Sequence, residues 1–422
     1  MLAMLPMALG NTFVAYVLWC WAGLISLNSF LYGFMRDLPY VQIFAMVALA
    51  LVLTRKDKES TKFKSSLTTT LFMVFCAHAL LVAIFAYEGL PRNWEMFLNI
   101  LKTIVFLMLM PVLVTSRLRI HALVVIIVLG LGFHGVLDGL KFLASGGGHR
   151  AVGIAKFGDN NYQAMALAVT LPLLFYMASY AKIKWVKWGV GGSSFLLVLA
   201  IMATGSRGGL ITLVVLALWL FWYGKNKFQW SIMIALFAGL MVALAPESWT
   251  ERMSTIKEAQ EDSSFMVRVA VWKKSTAIAL AHPLVGAGFY GAQAPPLGDK
   301  YRNAQGLMGF IDTPDPQSFA AHSIYFQVMG DMGFVGFFIY MALLLNTFYT
   351  RGQIRRLAQA QGASAKWADD LANMLAASMT AFMVGGALLS AAYFEIPFLV
   401  MGLMGVTKQV LEKMSVQLEE IP

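Results

Sequence analysis

Apolar residues run along this chain in long, nearly uninterrupted blocks, and most charged residues fall in the joints between them. A block of about 20 apolar residues is the length of a helix that crosses a bilayer. The pattern predicts twelve helical spans, near 11–27, 38–54, 67–87, 97–115, 120–144, 162–180, 188–204, 209–223, 230–246, 323–348, 371–392 and 395–411. The eighth is short and the last two are closely spaced, so eleven is the alternative count. Strict alternation, the mark of a membrane-spanning barrel, is absent from the pattern. The first block lacks a charged leader and a small-residue cleavage site, so it is expected to remain as a span. One joint is long, and it divides a single membrane domain into spans one to nine (1–247), a loop (248–322), and spans ten to twelve with a tail (323–422). Trp249, Phe265, Trp272, Phe289, Tyr290, Tyr301, Phe310 and Phe319 are spread through the loop and argue that it is ordered.

Composition narrows the class. Of 422 residues, 59% are hydrophobic and 13% charged, with mean hydropathy +0.68. This excludes a soluble enzyme, a disordered tail and a secreted disulfide scaffold. Cys20 and Cys76 both sit in spans and read as buried thiols with no bond between them. The formal charge of +10 would suggest nucleic acid in a soluble protein. Here, eighteen of the 32 Lys and Arg residues fall in alternate joints and the tail, among them Arg55, Lys56, Lys62, Arg117, Lys184, Lys225, Arg351, Lys366 and Lys408. The positive-inside rule makes that side, and both termini, cytoplasmic. The charge is therefore topological and implies no nucleic-acid partner. The 248–322 loop then falls on the opposite, exoplasmic side.

Three short stretches carry candidate chemistry on that side. The turn Thr204-Gly205-Ser206-Arg207-Gly208-Gly209 leaves backbone amides and one arginine for an anion, or holds an arginine snorkelling to the interface. Ser263 and Ser264 open a helix expected to run to about Ala281 and to stop at Pro283, with a turn at Gly286 and Gly288. Arg268, Trp272 and Ser275 share one face of it. The alternative is an amphipathic helix lying on the membrane surface. His322 stands just before the tenth span, followed by Ser323 and by Gly330, Gly333 and Gly336, and is either a proton acceptor or a solvated interfacial residue. Arginine forks suit phosphate oxygens, and a histidine can deprotonate a hydroxyl. Together they fit group transfer from a phosphate-activated donor to an alcohol.

These residues, in this order, resemble the signature of the O-antigen ligase/polymerase superfamily. The shared pattern is an Arg-x-x-x-Trp helix (Arg268, Trp272), a Pro-x-x-Gly-x-Gly turn (Pro283, Gly286, Gly288), a histidine opening a span (His322) and a Ser-Arg-Gly turn (Ser206, Arg207, Gly208). Ser323 stands where asparagine is usual. The first 145 residues resemble one branch, the O-glycosylation ligases found beside exosortase systems. The resemblance implies an all-α, GT-C-like polytopic protein of the bacterial inner membrane, with amphipathic helices in a periplasmic loop. It further implies a metal-independent, cofactor-free, inverting glycosyltransferase. The donor would be a glycan on undecaprenyl diphosphate and the acceptor lipid A–core oligosaccharide, another glycan repeat or a protein hydroxyl. By motif, His322 would be the base, and Arg207 and Arg268 would hold the diphosphate. Trp272 and Ser323 would lie at the substrate.

Further candidates stand outside the motif. Arg150, in a glycine loop beside His149, is a third phosphate ligand or a loop charge. Lys102, inside the fourth span, meets an anionic partner, snorkels, or pairs with Glu95. Asp159-Asn160-Asn161 opens the sixth span as a cap, with Asn161 a contact for sugar hydroxyls. Two rival readings are a divalent-ion site at Asp312 and Asp315 near His322, and a secondary transporter. The absence of an internal repeat argues against the transporter.

Overall fold

The computed structural model describes residues 2–54, 62–87, 89–90, 92–153, 158–224, 263–314 and 320–419, with four residue pairs between 227 and 239. Most of the ninth span, with Trp249, Asp315, Phe319, and the joint residues Arg55, Lys56 and Lys225, lies outside the described residues. Among the described residues every regular element is helical. The α-helices are α1 (Leu5–Gly10), α2 (Thr12–Ile25), α3 (Tyr40–Thr54), α4 (Leu67–Ile84), α5 (Asn93–Leu113), α6 (Arg117–Ala144), α7 (Asn160–Tyr180), α8 (Lys184–Ala203) and α9 (Arg207–Tyr223). They continue with α10 (Ser263–Ala281), α11 (Pro295–Lys300), α12 (Ile324–Gln361), α13 (Lys366–Gly386) and α14 (Glu395–Glu419).

Among the described residues, six segments are long and apolar enough to cross a membrane: Leu67–Ile84, Asn93–Leu113, Arg117–Ala144, Asn160–Tyr180, Lys184–Ala203, and Ile324–Gly386, which comprises α12 and α13. The helices Thr12–Ile25, Tyr40–Thr54 and Arg207–Tyr223 are apolar but shorter. In α7, every residue from Gln163 to Leu174 is buried, so this helix is enclosed by protein all round. It packs against α6, α8, α9 and α13. α13 also packs on α12 and α14, which pack in turn on α4 and α5; α2 packs on α6, and α3 on α2. Large apolar side chains such as Leu118, Leu218, Trp222 and Phe338 face outward, as lipid-facing positions do.

Contacts sort the joints into two ends. At one end, Arg117 lies over the rings of Tyr180 and Trp367, and the Tyr180 hydroxyl donates to Asp370, so the joints before α6, α8 and α13 meet there. The opposite end carries the starts of α7, α9 and α12, and is called the site end below.

The long helix α12 is not continuous. Gly333 sits at φ +70°, ψ −172°, which only glycine adopts readily, and breaks the ladder in the middle of an apolar segment. Freed carbonyls at such a depth need donors. The turn after α10 supplies them: Ala287 N–H donates to Gly330 O at 2.9 Å, Gly288 N–H to Asp331 O at 3.0 Å, and the His78 ring to Met332 O at 3.1 Å. The approach is backbone on backbone. A Cβ on Gly286 would stand 2.6 Å from Gly330 O, Asp331 C and Gly333 N. The glycines of the motif thus build the joint between the loop and α12.

The helix expected from Ser263 to Ala281 spans those residues. Its surroundings differ from an amphipathic surface helix. It packs against α12, and Lys273 and Lys274 are both buried. The Lys273 ammonium donates to Ile311 O at 2.7 Å, which ties the 306–313 segment to α10. Burial pushes the Lys274 pKa down, while Asp299 opposes it. Lysines whose ammonium groups find carbonyls or acids can face inward, so charge on this helix does not mark a wet face.

Candidate functional site

The site end gathers three helix starts. Asp159 caps α7, its carboxylate accepting from the N–H groups of Asn161 at 2.8 Å and Tyr162 at 3.0 Å. Ser206 caps α9, accepting from Gly209 N–H at 3.1 Å while its hydroxyl donates to Asn161 Oδ1 at 2.7 Å. Asn160 Nδ2 donates to Thr204 O at 2.7 Å. These bonds lock the Ser206-Arg207 turn to the start of α7. Arg207 is the first residue of α9, half-buried beside Asn161. The loop carrying Arg150 joins through Ala151 N–H to Ala203 O at 2.9 Å, and Arg150 itself is exposed at the rim.

His322 is held at the third start, that of α12, with φ +45°, a left-handed conformation rare outside glycine. Its peptide group is gripped from both sides. Trp272 Nε1–H donates to Ala321 O at 2.7 Å, and His322 N–H donates to Ser390 Oγ at 2.8 Å. The Trp272 ring stacks on Phe326, centroids 4.8 Å apart. Ser390 is anchored in turn by Tyr162, whose hydroxyl donates to its carbonyl at 2.7 Å. The α7 start, the α13–α14 joint and α10 therefore all fix one histidine. Half-burial lowers the His322 pKa below the usual imidazole value, the Arg268 charge lowers it further, and Asp159 pulls the other way. The ring is therefore neutral near pH 7, with an arginine and an aspartate in electrostatic reach.

Of the residues singled out in the sequence, Arg268, His322, Trp272, Asn161 and Arg207 are brought to this end, with Arg150 beside them. Two are not brought to the open surface of the cluster. Ser323 is 1% exposed, and its Oγ is covered and without a hydrogen-bond partner. Lys102 is exposed on α5, where its ammonium bonds Asn99 of the same helix at 3.4 Å; Glu95 pairs instead with Arg92 at 3.9 Å. Asp312 and its neighbour Thr313 lie beside Lys273, which bonds the Thr313 hydroxyl. Asp159, Tyr162 and Ser390 are site residues that the motif did not reveal. Asp159 was legible as a cap, but nothing local ties it or Ser390 to a histidine far away in sequence.

The remaining histidines have structural partners: His121 with Tyr176 at 2.6 Å, His134 with Ile25 O at 3.2 Å, His149 with Asp138 at 3.1 Å and His282 with Tyr301 at 3.2 Å. Both cysteines are free.

Residues 192–341 match a family model described as O-antigen ligase, and residues 1–182 match a family of unknown function. No curated protein matches the chain. The first match covers the segment that contains Arg207, Arg268 and His322 and is a likeness to O-antigen ligases over that segment.

Proposed function

We propose that the chain is an O-antigen ligase that moves a glycan from undecaprenyl diphosphate to lipid A–core oligosaccharide. The observation that carries this reading is the meeting of three helix N-termini with Arg207, Arg268 and a neutral His322. Helix starts present partial positive charge and favour anions, and guanidinium groups add charge-assisted hydrogen bonds to phosphate. A neutral imidazole beside them is in the form that accepts a proton.

In the proposed reaction the acceptor oxygen attacks the anomeric carbon from the face opposite the diphosphate. The new C–O bond forms as the old one to the diphosphate oxygen breaks. His322 takes the hydroxyl proton, and the released charge settles on Arg207 and Arg268. Attack from the opposite face inverts the anomeric configuration. Asn161 stands where a sugar hydroxyl meets the Ser206 turn, and Arg150 is a phosphate contact at the rim. No step calls on a metal or cofactor. The charge distribution supports an inner-membrane location, with the site end facing the periplasm and both termini in the cytoplasm.

The test is transfer by purified protein from an undecaprenyl-diphosphate-linked oligosaccharide, with lipid A–core, a second lipid-linked repeat and a pilin-like protein offered in parallel. Product on lipid A–core supports the ligase. Product only on the repeat or only on protein replaces it with polymerase or protein O-oligosaccharyltransferase. Full turnover by His322→Ala removes the assigned base.

A further inference from the structure

A cleft lies at the site end, beside the turn that packs on the break in α12. It is a space of about 250 Å³ between the α4–α5 joint and the segment after the 286–288 turn, lined by Tyr87, Arg92, Phe289, Tyr290, Gln293 and Pro295, among others. Its two walls are bound together: Tyr87 N–H donates to Ala287 O at 3.2 Å, and Phe289 N–H to Asn93 Oδ1 at 3.0 Å. Tyr290, like Ser26 and His322, is a non-glycine residue with a left-handed backbone, φ +61°. It lies near the buried Asp331 carboxylate, which accepts from the Tyr393 hydroxyl at 3.1 Å. A strained non-glycine backbone is a sign of a placed side chain. The Arg92 guanidinium lies 4.6 Å from the Tyr290 ring centroid.

The lining describes its ligand. Apolar ring faces suit the C–H faces of a pyranose, and planar polar groups at the rim suit its hydroxyls. Arg92 faces Glu95 at 3.9 Å, and Lys300 donates to the Tyr87 hydroxyl at 3.5 Å, so the cations beside the cleft already have partners. Tyr290 is also within electrostatic reach of Tyr162, which bonds Ser390, which bonds His322. Tyr290, Tyr162 and Ser390 are thus successive neighbours between the cleft and His322.

We propose that this cleft is a remote saccharide subsite that holds a neutral sugar ring of one of the two glycan substrates while another ring reacts at His322. The proposal rests on the transferase reading above. Binding a distant ring holds the substrate equally before and during the reaction, which lowers KM. The ring belongs to the acceptor or to the donor glycan, and the kinetic arms distinguish them.

The experiment uses the full-length protein in nanodiscs, with wild type, Tyr87→Ala and Gln293→Ala compared at equal folded fraction. The expected result is a rise of about tenfold in KM for one glycan substrate with kcat retained, the size of a lost side-chain contact to a polar ligand. A rise for the acceptor assigns its ring to the cleft, and a rise for the donor assigns the donor's. Shortening that glycan ring by ring should bring wild type to the variants' KM, and the variants should lose nothing more at that step. Unchanged KM for both substrates in both variants overturns the proposal. If wild type transfers to no acceptor, the transferase reading fails separately. Saturation-transfer NMR with the free core oligosaccharide and the free glycan cut from the donor then decides. Signal on either that Tyr87→Ala and Gln293→Ala abolish supports the subsite, and signal equal in wild type and variants, or absent, overturns it.

Discussion

Replacing Trp272 by Phe isolates one bond. Phenylalanine keeps an aromatic ring to stack on Phe326 but has no indole N–H for Ala321 O, a bond of 2.7 Å. That bond holds one side of the peptide whose other side donates to Ser390, and the peptide leads into a histidine at φ +45°. A left-handed conformation costs about 1–2 kcal/mol outside glycine, so the site must supply at least that much to keep it. A net hydrogen bond contributes about 1 kcal/mol, and a stranded carbonyl adds to the loss. The aligned state of His322 should therefore weaken by about 1–2 kcal/mol, which lowers kcat about 5- to 30-fold. Donor KM should stay near wild type, because Arg207 and Arg268 keep their places. The assay is steady-state transfer at saturating donor and acceptor, with thermal unfolding as a check on folding. A kcat within twofold of wild type, or a donor KM that rises while kcat stays, would refute the positioning role.

The His322 environment sets a pH dependence. Because its pKa is lowered, the acid limb of kcat/KM should fall below the ordinary imidazole value, with activity lost as pH drops through the lowered pKa. Arg268→Gln removes a repelling charge and should move that limb to higher pH, whatever it does to the rate; a limb that moves down or stays fixed would refute the assigned electrostatics. Gly286→Ala places a Cβ 2.6 Å from three backbone atoms at φ +64° and should cost about 2–5 kcal/mol, read as a large drop in Tm. Ser206→Ala removes the α9 cap and the bond to Asn161 and should lower stability by about 1–2 kcal/mol. Arg150→Ala should weaken donor binding, whereas Lys102→Ala should leave donor KM and kcat unchanged, measured side by side.

Local signals carried much of this structure. The limits of α10 were written in Ser263 and Pro283, and the cap of α7 in Asp159, because capping and helix breaking act within a few residues. The arginines and His322 stood out because the surrounding sequence at that face is nearly neutral. What could not be read was tertiary. The Ser390 contact, the Trp272 grip on Ala321 and the Tyr393–Asp331 bond join residues far apart in the chain. Lys273 and Lys274 looked like a solvated face because the carbonyl that receives Lys273 lies in another segment. The glycines at 286, 330 and 333 were legible as a motif, while their reason, one backbone packed on another, required the fold.

The break at Gly333 also bears on how the chain is made. Once broken, α12 cannot complete its hydrogen bonding from its own sequence, because the carbonyls of Gly330, Asp331 and Met332 take donors from 287, 288 and His78. All three donors are synthesised before α12. A chain that delivered residues 283–288 to the wrong side of the bilayer would insert α12 with two carbonyls bare, each costing several kcal/mol in hydrocarbon. Correct translocation of the loop is thereby coupled to completion of the helix that follows it, and a misrouted molecule is marked by its own instability.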